Sequence, residues 1–122
     1  MGMVESYKDL ITWQKGMDLV ERIYRLSRLF PQDERFGLTS QLKRASVSIP
    51  SNIAEGHARS TRQEYARFLD VARGSANEVE TQLLIAKRLA FSDENELHEA
   101  VSATNEIQRI LLGLMRSLRK AK

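Results

Sequence analysis

Five polar residues in the middle of the chain, Arg44, Asn52, Glu55, Arg73 and Glu78, have the types that acid–base or anion-binding chemistry would use. Catalysis by them would need a nucleophile or base that their pattern does not supply. The sequence has no Cys, which excludes a disulfide framework, an iron–sulfur cluster and a Cys-type zinc site. Its two histidines, His57 and His98, follow Ala54 and Asn95 at the position where a di-iron bundle would carry the Glu of a Glu-x-x-His pair. The 6 glycines are scattered, so there is no phosphate-cradling loop. No catalytic, cofactor-binding or metal-ligating residue is therefore assigned, and a protein that is not an enzyme is expected.

The elements that carry these residues read as four helices. From about residue 12 to 30, Trp13, Met17, Val20 and Tyr24, with Leu19, Ile23, Leu26 and Phe30, recur at helical spacing until Pro31. Leu38, Leu42, Ala45, Ile49 and Ile53 define a second stripe over about 38–56, with Gly56 placed as a glycine just past a helix end. Thr61 with Glu64 makes a capping-box start for a third helix, about 61–90, striped by Tyr65, Phe68, Leu69, Ala72, Ala76, Val79, Leu83 and Ala86. Asp93 with Glu96 repeats the signal for a fourth, about 93–119, whose seam is Leu97, Val101, Thr104, Ile107, Leu111, Leu114 and Leu118. No stretch alternates with period two and the connections are short. The expectation is an all-α, antiparallel up-down-up-down four-helix bundle forming one domain, 1–122.

Two of these helices carry more than a core needs. Pro50 falls inside the second, where it removes a backbone donor and crowds the carbonyl of Ser46, so a kink or local break is expected. The hydroxyls of Ser46 and Ser48 are placed to satisfy freed backbone groups. Arg44, Ser48, Asn52 and Glu55 share one face that adjoins the apolar stripe and should be half-buried. On the third helix, Gly74, Ser75, Asn77, Glu78 and Thr81 form a small polar patch between Arg73 and Glu80. Gly74 costs about 1 kcal/mol relative to Ala there, so a close approach is expected. These stripes serve either an intramolecular polar network across the hairpin of the second and third helices or a subunit interface.

Composition and charge bound the remainder. The 122 residues are 42% apolar and 29% charged, a globular balance with a net charge of +3. Surface scaling gives roughly 6,700 Å² for such a folded monomer. Arg116, Arg119, Lys120 and Lys122 form a basic C-terminal run read as solubilising. Met1-Gly2 with Ser6 fits a myristoylation pattern only weakly, and Glu5, Lys8 and Asp9 stand where a signal peptide needs an apolar run. No apolar segment approaches the roughly 18 residues of a membrane span, so a cytoplasmic location without membrane contact is expected.

The run Ser46-Val47-Ser48-Ile49-Pro50-Ser51-Asn52-Ile53-Ala54-Glu55-Gly56 is followed by Glu64-Tyr65-Ala66-Arg67-Phe68-Leu69 and by Ala72-Arg73-Gly74-Ser75-Ala76-Asn77-Glu78-Val79-Glu80-Thr81-Gln82-Leu83. With Tyr7-Lys8-Asp9-Leu10, Trp13-Gln14-Lys15 and Phe30-Pro31, these segments resemble the bacterial four-helix-bundle family of 23S rRNA intervening-sequence proteins over essentially the whole chain, most weakly after Leu89. The resemblance implies a cytoplasmic bundle assembled as a ring-like homopentamer. It also implies kinship with accessory proteins of diversity-generating retroelements, which are thought to bind nucleic acid and a reverse transcriptase. The family name reports where some of its genes sit, so no ribosomal role follows from it. The family pattern falls on Arg44, Ser48, Pro50, Asn52, Glu55, Gly56, Glu64, Phe68, Arg73, Gly74, Ser75, Glu78 and Thr81, with Ala76-Asn77 as a small departure.

Assembly multiplies charge. A pentamer of +3 chains carries about +15 and repeats each patch built from Lys43, Arg44, Arg59, Arg62, Arg67 and Arg73. Trp13, Tyr24, Tyr65 and Phe68 all lie on apolar stripes, so the expected contact is with RNA or DNA phosphate and not with bases. The competing expectation is a structural or protein-interaction scaffold with no nucleic-acid role.

Overall fold

Capping residues set the helix starts. In the computed structural model, which describes residues 5–120, Thr61 accepts the Glu64 N–H at 3.1 Å and Asp93 accepts the Glu96 N–H at 3.0 Å. The helices are α1 Ile11–Ser27, α2 Leu38–His57, α3 Arg62–Arg88 and α4 Glu94–Lys120, with short 3-10 turns at Tyr7–Asp9 and Gln32–Glu34. No strand occurs among the described residues. Met1, Gly2 and Lys122, on which two sequence expectations bear, lie outside them.

Each helix packs against two others: α1 on α2 and α4, and α3 on α2 and α4. The enclosed core takes Leu19, Ile23 and Leu26 from α1, Leu42, Ile49 and Ile53 from α2, Leu69, Val79 and Leu83 from α3, and Leu97, Ile107, Leu111 and Met115 from α4. Burying each such side chain stabilises the fold by roughly 1.5–3 kcal/mol. Ala66, Ala72, Ala76 and Ala86 are buried on α3. Ion pairs Lys15–Glu106 and Arg22–Glu99, both 3.2 Å, join α1 to α4 at the rim.

Several sequence expectations change in detail. Helix α1 stops at Ser27, three residues before Phe30, whose N–H bonds the Ser27 carbonyl at 3.1 Å in a turn. Of the two stripes on α1, Leu19–Ile23–Leu26 faces inward, whereas Met17 and Tyr24 are exposed. On α4 the seam is rotated, so Ala100 and Met115 are buried while Val101, Leu114 and Leu118 are only partly covered.

Of the kink or local break expected at Pro50, the break does not occur, since α2 runs uninterrupted to His57. The ring is buried against Gly16 of α1, where an added Cβ would come within 3.4 Å of Pro50 Cβ. Packing of the ring against a residue without a side chain offsets the lost donor. The Ser46 hydroxyl donates to the Lys43 carbonyl at 2.8 Å, and the Asn52 amide donates to the Ser48 carbonyl at 2.8 Å. Gly56 also departs from expectation. It is helical, and the cap residue is Ala58. An added Cβ at Gly56 would sit 2.8 Å from Phe68 Cβ and 3.2 Å from the Tyr65 carbonyl, so close passage of α3 selects this glycine.

Candidate nucleic-acid interface

Part of the polar stripe closes on itself. Ser48 and Ser75 share a hydroxyl–hydroxyl bond of 2.8 Å between α2 and α3, and the Asn52 amide also donates to Ser48 Oγ at 2.9 Å. These three residues link α2 to α3 within the chain and help fix their register. Thr81 only returns its hydroxyl to the Asn77 carbonyl at 2.9 Å.

The rest of the patch on α3 faces solvent. Val71, Gly74, Glu78, Thr81 and Ile85 are exposed and fall on one face at helical spacing. The close approach expected at Gly74 is absent within the chain, since an added Cβ there would meet nothing within 4 Å.

The six candidate cations do not form one cluster. Arg59 and Arg67 meet at the α2–α3 connection, where their guanidinium groups lie 4.6 and 4.8 Å from the centre of the Phe68 ring. Both are also paired with carboxylates, Arg59 with Glu55 at 3.0 Å and Arg67 with Glu64 at 3.3 Å. Beside them Tyr65 packs edge-on against His57 at 5.7 Å, and burial pushes the Tyr65 phenol above its ordinary range. Arg62, the first residue of α3, is exposed and makes no ion pair among the described residues. Arg73 is half-buried on α3.

Lys43 and Arg44 lie far from that end. At about 1.5 Å per residue, Arg44 stands about 20 Å along α2 from His57. They line an open groove of about 660 Å³ between α1 and α2, with Tyr24, Arg35, Phe36, Ser40, Val47 and Ser48. Lys43 Nζ lies 4.8 Å from the Tyr24 ring centre, and the Arg35 guanidinium 4.8 Å from that of Phe36.

Of the four rings expected on apolar stripes, Trp13, Tyr65 and Phe68 are partly covered but Tyr24 is 40% exposed, and Phe36, outside every stripe, is 85% exposed. Sequence reading missed Arg35 and Phe36. The signal was an aromatic between Arg35 and Gly37 in an inter-helix connection, outside every stripe. It also missed a second register device, in which the Asn105 and Gln108 amides of α4 donate to the Glu80 carboxylate of α3 at 3.1 Å each. Gln108 also donates to Asn77 Oδ1 at 2.9 Å, which gives the departure at Asn77 a partner. Among the described residues no three metal-ligating side chains converge, and no helix is long and apolar enough to cross a membrane.

Helix packing and surface together define a small all-α four-helix bundle with charge-rich outer faces. Over residues 8–113 the sequence matches the family described as 23S rRNA-intervening sequence protein. The chain belongs to that family. Its backbone is similar to the crystal structure of a protein of unknown function from the S23 ribosomal protein family of Bacteroides thetaiotaomicron, with a TM-score of 0.80 at 23% identity. That likeness covers 86% of this chain and 98% of the other, and it bears on the fold alone. Among curated proteins, no relative matches the sequence.

Proposed function

We propose that the chain is a non-enzymatic, homo-oligomeric accessory protein that binds the phosphate backbone of RNA or DNA. The observation that carries this reading is the set of cations free of carboxylates. Lys43, Arg44 and Arg62 make no ion pair among the described residues, whereas Arg59 and Arg67 are neutralised locally. An up-down-up-down order is supported by the pairings, in which Lys15 meets Glu106 and Arg22 meets Glu99 as the two helices run in opposite senses. Assembly as a ring-like homopentamer is supported by family membership and by the outward stripe Val71–Gly74–Glu78–Thr81–Ile85. In such a ring five copies of each weak phosphate contact act together. A cytoplasmic location fits this role.

Fluorescence anisotropy with labelled RNA and DNA at about 50 and 200 mM salt tests the reading. Affinity should fall by roughly 10³-fold or more if six or more phosphates are neutralised. Arg44→Glu with Arg62→Glu should abolish binding while helical circular dichroism and assembly mass are kept. No binding at the lower salt overturns the proposal. A second reading, a protein-interaction scaffold, is favoured by the exposed Leu84 and Leu89 near the α3–α4 turn. A reverse transcriptase is the protein partner that kinship would suggest, and its capture should survive the double charge reversal.

A further inference from the structure

Three cations in the α1–α2 groove are uncompensated. Arg22, Arg25, Arg59, Arg67 and Arg119 each have a carboxylate within 4 Å, but Arg35, Lys43 and Arg44 have none among the described residues. No Asp or Glu lines the groove. A surface of one sign, concave and unneutralised, concentrates anions.

Phosphate binding alone does not call for the other lining residues. Phe36 sits just before Gly37 at the start of α2, contributes nothing to the core and leaves 85% of its surface in water. Tyr24 faces the same groove from α1, half out of the core. Each ring has a cation close by, Arg35 at Phe36 and Lys43 at Tyr24. Aromatic surfaces interleaved with free cations are what an unpaired strand needs, since its bases stack on rings while its phosphates meet Lys and Arg.

The geometry points to this groove as a binding site for single-stranded nucleic acid, with bases stacking on Phe36 and Tyr24 and phosphates held by Arg35, Lys43 and Arg44. This inference rests on the nucleic-acid reading above and adds which strand state is bound and where. In a duplex the base faces are already stacked, so the rings would gain nothing. An acidic peptide would use the three cations and leave Phe36 without a partner. Stacking is tolerant of sequence, because every base has a flat face.

Anisotropy with the full-length chain should compare labelled oligodeoxythymidylate with a hairpin duplex carrying the same number of phosphates, at low salt. The single strand should bind about tenfold more tightly. Phe36→Ala should weaken single-strand binding about tenfold and leave duplex binding unchanged, and Phe36→Leu, which keeps apolar bulk without a flat ring face, should behave alike. Arg44→Gln should weaken both and lower the salt slope by about one per bound groove. Phe36 is outside the core, so the variants should keep wild-type circular dichroism and melting.

Equal affinity for both probes with no effect of Phe36→Ala overturns the groove assignment and leaves phosphate binding standing. Absence of binding to either probe overturns both. Oligoglutamate competing as well as the single strand overturns base stacking in favour of a peptide. Loss of self-association in Phe36→Ala with unchanged single-strand affinity reassigns the groove to a second copy of the chain.

Discussion

An added Cβ on Gly56 would lie 2.8 Å from Phe68 Cβ, whereas one on Gly74 would meet nothing within 4 Å. The same substitution should therefore act with opposite sign at the two sites. Gly56→Ala must push α3 away from α2 at the point where Phe68 and Tyr65 pack, and overpacking of this kind costs about 1–3 kcal/mol. Gly74→Ala places a better helix former on an open face and should stabilise the dilute, unassembled chain by up to about 1 kcal/mol. Urea unfolding of both variants, followed by circular dichroism, measures the two shifts. A midpoint for Gly56→Ala at or above wild type would show that α2 and α3 separate at no cost. The pair also shows why residue type alone is a poor guide: a glycine near a helix end reads as a cap, yet at Gly56 the neighbouring helix decides.

At the level of the element, α3 ends without the glycine that such an ending favours. Ala90 takes φ 55°, the left-handed region, while the Phe91 N–H reaches back to the Ala86 carbonyl at 2.9 Å and the Ala90 N–H to Lys87 at 3.1 Å. The turn places Phe91 against Phe30, ring centres 5.8 Å apart, and so ties the α3–α4 connection to the end of α1. An L-residue pays about 1–2 kcal/mol in this conformation, partly offset by the lower chain entropy of Ala when unfolded. Ala90→Gly should raise stability by about 0.5–1 kcal/mol, read as a higher thermal midpoint. A lower midpoint would mean that the Ala90 methyl group packs usefully. This ending was not legible in the sequence, whereas the starts at Thr61 and Asp93 were, because a side-chain cap announces itself and a strained turn does not. Periodicity likewise revealed α1 but offered two stripes, and only packing turned Leu19, Ile23 and Leu26 inward and left Tyr24 on the groove. Ser48 and Asn52 were legible as a stripe. The Ser75 partner of Ser48 was visible only as part of a separate patch, and Asn105 and Gln108 became meaningful only once α4 lay against Glu80.

For the whole molecule, the division of α3 into an inward and an outward polar set bears on assembly. Ser75 is consumed by its bond to Ser48, but Gly74, Glu78 and Thr81 continue onto an exposed face bounded by Val71 and Ile85. A glycine without a neighbour inside its own chain weakens the helix for no intrachain gain. In the proposed assembly, contact with another copy would supply a reason, since the bare backbone at Gly74 between the exposed Val71 and Ile85 leaves room for a second helix to approach. A stable interface needs roughly 800 Å² from each partner, more than this stripe alone offers, so flanking residues must join it. Gly74→Leu and Ile85→Glu should each lower the assembly mass in sedimentation equilibrium while helical content stays unchanged. Together with Gly74→Ala this separates the two roles: the small methyl group should strengthen the dilute chain, and the larger side chain should block its neighbour. Wild-type mass equal to one chain at high concentration, or unchanged mass in both variants, would remove the stripe from any interface.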